Sequence, residues 1–219
     1  MKQLSEQSGG ALDVEWNDST GTPRLLKGRL SAPSEHTPEW IAGEFVRDYR
    51  ALYGLSDPDQ ELVVSAVDRS DPEHIRVLVR HELLHTPVWG DTLRMEINHQ
   101  GVIQRVEGEI HPELAKQSLQ QIMRQTFSEE QAIAVAEAYM IERQLSRAAS
   151  KPDVARYYLP TRAGTPLVYA VRFAPAQQEG TDGGRLVLVH ALTCRVIHDE
   201  PIRFGQSVTK APSDLQPAP

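Results

Sequence analysis

Apolar positions recur at two spacings along this chain and divide it into two successive blocks, each a helix followed by strands. In the first block Trp40, Ile41, Phe45, Tyr49, Leu52 and Tyr53 fall at helical spacing behind Thr37 and Pro38, an N-cap residue and a first-turn proline. Gly54 stands where a C′ glycine ends such a helix. At this spacing the aromatic residues, Trp40 included, are expected to form the contact between the helix and a sheet beneath it. A short early strand is expected near Leu25 and Leu26, with Gly28 permitting a bulge. Further strands are expected over 61–67, 75–84, 93–97 and 102–110. Ile75, Val77 and Val79 alternate with polar neighbours, and Leu93-Arg94-Met95-Glu96-Ile97 repeats the pattern. Asn98-His99-Gln100-Gly101 supplies a hairpin turn. Pro87 and Gly90 predict a second, exposed turn bearing Trp89. Pro87, Val88 and Trp89 are therefore candidate protein-contacting residues, since exposed aromatics are enriched in interfaces.

The second block opens on Ser128-Glu129-Glu130-Gln131, a capping box. Ala132, Ile133, Val135, Ala136, Tyr139 and Met140 give the helix behind it a broad apolar face, and it is expected to run to about Leu145. A weak strand at Tyr157-Tyr158-Leu159 is followed by a strong one, where Leu167, Tyr169, Val171 and Phe173 alternate, and then by Leu186 to Val189 and Val196-Ile197. Residues 177–184 read as a flexible loop. The predicted class is α+β, two helix-plus-antiparallel-sheet units in tandem. A connecting segment, with a polar helix from Ala115 to Arg124, lies between them.

Composition narrows the partners. The 219 residues are 40% hydrophobic and 24% charged, ordinary for a globular chain. A formal net charge of -7 without any Lys/Arg cluster argues against nucleic acid or an anionic membrane. No apolar run has the length of a membrane helix, and Met1 to Gly10 lacks the apolar stretch of a signal peptide. The one cysteine, Cys194, excludes an intrachain disulfide.

One motif carries candidate chemistry. His81-Glu82-Leu83-Leu84-His85 has the H-E-x-x-H spacing that, on a helix, sets two imidazoles on one face for zinc with a carboxylate beside them as general base. The alternation leading into it favours a strand instead, and Pro87 would stop a helix two residues later. Extended chain sets the two histidines about 13 Å apart, beyond the reach of one tetrahedral ion. Glu96, Glu107 and Glu109 are the available third ligands, and none lies in a helical ligand motif. The expectation is no metal, no cofactor and no catalytic residues. A small zinc hydrolase using His81, Glu82 and His85 is kept as an alternative.

The ordered phrases along the chain resemble the pro-regions of thermolysin-like and fungalysin metalloproteases. Gly21 to Leu30, Leu52-Tyr53-Gly54-Leu55, Thr86-Pro87-Val88-Trp89-Gly90 and Val106-Glu107-Gly108 follow that family's order, although His85 and Thr86 stand where it usually has Gly-Val. Leu167-Val168-Tyr169-Ala170-Val171 and Val189 to Val196 resemble a PepSY domain, with His190 replacing the usual aspartate and Cys194 the usual glycine. The resemblance implies two cystatin-like units: a fungalysin/thermolysin propeptide-like domain over 19–112 and a PepSY-like domain over 127–204. Residues 1–18 would be a flexible lead-in, 113–126 a linker and 205–219 a disordered tail. It implies a non-catalytic, secreted or cell-surface chaperone and inhibitor of a thermolysin-type metalloprotease catalytic domain, acting in cis or trans. A monomer without membrane insertion is expected, and an extracellular protein-binding adaptor is a further alternative.

Overall fold

The computed structural model describes residues 4, 6, 9, 11–114, 126–145, 150–161, 164–175 and 182–203. The chain forms two compact units, Met1–Gln117 and Ser118–Pro219. The division falls inside the expected linker 113–126. The predicted helix from Ala115 to Arg124 and the tail 205–219 lie outside the described residues, as does most of the predicted loop 177–184. The architecture is mixed α/β and dominated by antiparallel strands, with three α-helices among the described residues.

In the first unit β1 (Asp13–Trp16), β2 (Pro23–Lys27), β3 (Leu62–Asp68), β4 (His74–Leu83), β5 (Thr86–Asn98) and β6 (Ile103–Glu109) pair antiparallel in the order β1-β2-β6-β5-β4-β3. Helix α1 (Pro38–Asp48) starts where its sequence signal lies: the Thr37 hydroxyl accepts a bond from the Trp40 N–H, and Pro38 occupies the first turn. The expected continuous helix to Tyr53 instead tightens into a 3-10 turn at Arg50–Leu52. Gly54 follows at φ 65, and a Cβ there would come within 2.3 Å of the Pro112 Cβ. That close approach, as much as the left-handed backbone, requires glycine. Ile41, Phe45 and Val46 of α1 pack with Val77, Val79, Leu93, Met95, Ile103 and Val106 of the sheet.

Three expectations are corrected here. The lead-in is not loose throughout, because Asp13–Trp16 is the edge strand β1 and Leu4 is buried in the first core. A four-residue strand with two acidic positions carries too little periodicity to be read locally. Trp40, expected in the helix-sheet contact, is 43% exposed. It lies to the side of the buried stripe of α1, Ile41, Ala42, Phe45 and Val46, about 100° round the helix from Ile41. Trp89, expected at an exposed turn, is 2% exposed and Val88 is equally buried, both within β5. The turn lies earlier, at Leu84 and His85.

In the second unit one longer helix covers four antiparallel strands. Before it, α2 (Pro58–Glu61) is a single turn of the first unit leading into β3. Helix α3 (Glu129–Glu142) begins with the capping box read in the sequence, Ser128 and Gln131 bonding each other's backbone N–H. It ends three residues before Leu145. Strands β7 (Asp153–Tyr158), β8 (Leu167–Phe173), β9 (Asp182–His190) and β10 (Val196–Arg203) pair antiparallel in sequence order. Ala132, Ala136 and Met140 of α3 pack on Tyr169, Val171 and Phe173 of β8 and on Val187 and Val189 of β9. The Tyr169 hydroxyl donates to the Phe127 carbonyl at 2.5 Å, fixing the start of α3 against the sheet. Cys194 holds the β9-β10 turn at φ 52, so the residue that replaces glycine in the resemblance accepts the left-handed backbone.

Candidate functional site

The H-E-x-x-H residues are dispersed by the local fold. His81, Glu82 and Leu83 end β4, and Leu84 and His85 are the two central residues of the β4-β5 hairpin, with φ 50 and 60. Two positive φ values in a two-residue loop are the geometry whose twist matches antiparallel strands. His85 is exposed there, whereas the His81 side chain is fully buried. Glu82 does not face His85 across a helix turn but forms an ion pair with Arg80. The helix that the zinc chemistry needs is not formed, and among the described residues no group of three or more His, Cys, Asp or Glu is arranged to hold an ion.

What the fold does assemble around His81 is a row of alternating carboxylates and imidazoles. Its Nδ1 lies 2.7 Å from Asp91 Oδ2. The other oxygen of Asp91, Oδ1, lies 2.6 Å from His111 Nδ1, and Oδ2 also accepts the His111 backbone N–H at 2.8 Å. On the far side of His81, Nε2 stands 3.7 Å from Glu61 Oε2, and both atoms are buried without a hydrogen-bond partner among the described residues. Glu61 is held by its other oxygen, which accepts the N–H groups of Ser56 at 2.8 Å and Asp57 at 2.6 Å.

Four elements meet to make this row. Pro58 starts the α2 turn that ends on Glu61. The pairing of β4 with β5 breaks between Arg80 and Glu82, so that residues 88–91 of β5 face His81 as a bulge, with Gly90 at φ 83. A bulge re-aims side chains, and here it brings Asp91 to full burial between the two histidines. His111 follows β6, where the Thr22 hydroxyl donates to the Ile110 carbonyl at 3.0 Å and Glu113 N–H donates to the Gly54 carbonyl at 3.0 Å.

Burial alone would lower the pKa of His81, but the hydrogen bond to Asp91 and the nearby charges of Asp91 and Glu61 outweigh it, and the value is raised. His111 behaves alike: burial opposes its charge, while Asp91 and then Glu109 favour it, and its pKa is raised. For Asp91 burial works upward, yet the two histidines hold it below the ordinary aspartate value. For Glu61 burial again works upward, and His81 with the two backbone N–H groups brings it below its ordinary value. Each member's charge is thus favoured by its neighbours in the row, and His111 is the row's one partly exposed member.

Sequence reasoning singled out His81 for a different chemistry and missed Glu61, Asp91 and His111. No spacing connects them, since they are 20 or more residues apart in two of the three steps and converge only through the bulge and the hairpin. The candidate contact residues Val88 and Trp89 are buried beside the row's bulge, and Pro87 is half-buried at the start of β5. No family model matches the chain, and no curated protein matches it.

Proposed function

We propose that the chain is a non-catalytic protein-binding module of the propeptide kind, a folding chaperone and inhibitor of a thermolysin-type metalloprotease, composed of two cystatin-like units. The observation that carries the reading is the repeated plan. Each unit has a capped helix followed by an antiparallel meander whose inner face that helix covers. The phrases behind the resemblance fall on these elements: Thr86 to Gly90 opens β5, Val106 to Gly108 lies at the end of β6, and Val189 to Val196 spans the β9-β10 turn. A preformed sheet surface can serve as a template for a partner, and docking across a cleft excludes substrate without any catalytic residue. Trp89 acts in this reading by fixing β5 from within rather than by touching the partner.

The test is inhibition of several thermolysin-type proteases by the full chain. The expected result is slow-onset, tight inhibition of at least one, relieved as the module is digested. Rapid cleavage of the chain with no inhibition of any of them rejects the reading.

A further inference from the structure

A groove of about 510 Å³ lies between α1 and the segment 30–36 in the first unit. Its walls are fixed by main-chain bonds. Leu30 N–H donates to the Ile103 carbonyl at 2.9 Å and Ser34 N–H to the Gln100 carbonyl at 3.0 Å, which ties the loop to the β5-β6 hairpin. The Ser31 hydroxyl accepts the Ile103 N–H at 2.9 Å. Gly101 makes this seat possible: a Cβ there would lie 1.9 Å from the Ser34 carbonyl oxygen. The groove is thus built before any partner arrives.

Its chemistry is apolar and anionic together. Phe45 and the exposed Trp40 line it, with the His36 ring tilted at 36° against the indole, centroids 3.9 Å apart. Glu35, Glu44 and Asp48 line it. Glu44 is paired with Arg47 at 2.5 Å, and Arg47 also holds Asp59. Glu35 and Asp48 have no ion-pair partner among the described residues and are exposed. A partly exposed indole lining the same groove as unpaired carboxylates suits a guanidinium or ammonium group, which gains from the ring quadrupole while its aliphatic stem covers apolar surface.

We propose that this groove binds a partner protein's extended segment through an arginine or lysine flanked by apolar side chains. The occupant follows from charge complementarity: unpaired carboxylates repel an acidic segment, and a neutral one would leave them desolvated without compensation. The inference does not require the partner to be a protease, so inhibition and groove binding can succeed or fail separately.

The probe is a blocked heptapeptide carrying two arginines among leucines, titrated into the full chain and followed by amide and indole NMR shifts. The expected result is movement of the Trp40 indole signal and of the Glu44 and Asp48 amides. Replacing both arginines by citrulline, which keeps the shape and removes the charge, is expected to weaken binding roughly tenfold or more. Trp40→Ala and the double variant Glu35→Gln/Asp48→Asn are each expected to weaken it at least severalfold; their side chains are exposed, so the fold survives. Gly101→Ala, which displaces the loop wall, is expected to weaken it with Trp40 and both carboxylates intact. Equal binding of the arginine and citrulline peptides, shifts confined to another face, or no shifts at millimolar peptide would each overturn the proposal.

Discussion

His81 shows how one residue type in one motif can serve either of two chemistries, decided by its backbone. On a helix its ring would share a face with His85; at the end of β4 it is turned inward onto Asp91 and Glu61. Removing a buried partner from such a row leaves the remaining charge uncompensated, which costs about 3–5 kcal/mol. His81→Ala is therefore expected to destabilise the first unit by that order in urea unfolding, whereas His85→Ala, on the exposed turn where left-handed backbone strains histidine and alanine alike, is expected to cost no more than about 1 kcal/mol. The zinc reading requires the opposite symmetry, with both histidines mattering for a bound ion. Elemental analysis after zinc loading and dialysis separates the two. One zinc per chain retained by the parent and lost in His85→Ala would overturn the hairpin assignment.

The β4-β5 hairpin is where local sequence and tertiary structure disagree. Leu84 and His85 hold left-handed backbone that costs a non-glycine residue about 1–2 kcal/mol, the more so for leucine. Replacing the pair by Asn-Gly, the residues this turn favours, is expected to stabilise the first unit by about 1 kcal/mol, read as a raised urea midpoint at unchanged slope. A loss of stability would mean that the loop is not the two-residue turn described. The same disagreement explains what could be read from the chain. Helices α1 and α3 were legible because their start signals are local: Thr37 with Pro38, and Ser128 with Gln131. Strand β4, the 93–97 part of β5, and β8 were legible from alternation. The path through Trp89 was not, because Pro87 and Gly90 carry the strongest turn chemistry nearby, while the real turn has none. There the long pairing of β4 with β5 and the bulge at 88–91 override propensity. Glu61, Asp91 and His111 were illegible for the same reason: their meeting is a product of bulge and register, which no short window contains.

At the scale of the molecule, the two units are expected to answer pH in opposite directions. In the first unit the folded-state pKa values of His81 and His111 are raised, so the stability they contribute is complete below the unfolded value of about 6.5 and is lost as pH rises through the folded values. Asp91 and Glu61 are lowered, and their contribution, present above the unfolded carboxylate values of about 4, is lost as pH falls through the folded ones. The charged groups facing the row are those four together with Glu109. In the second unit His190 is half-buried, and burial lowers its pKa; its Nδ1 accepts the N–H groups of Leu192 at 3.1 Å and Thr193 at 3.3 Å. Protonation there favours the unfolded chain, so the second unit loses stability as pH falls through the unfolded histidine value. Trp16, Trp40 and Trp89 all lie in the first unit, which makes tryptophan fluorescence its reporter, while amide exchange of α3 reports the second. From about pH 8 to about pH 6 the fluorescence-detected urea midpoint is expected to rise while protection of α3 falls. His111→Asn, which keeps a hydrogen-bond donor and cannot take the charge, is expected to flatten the first trend and leave the second. Parallel trends in both units would remove the row as the source of the pH response.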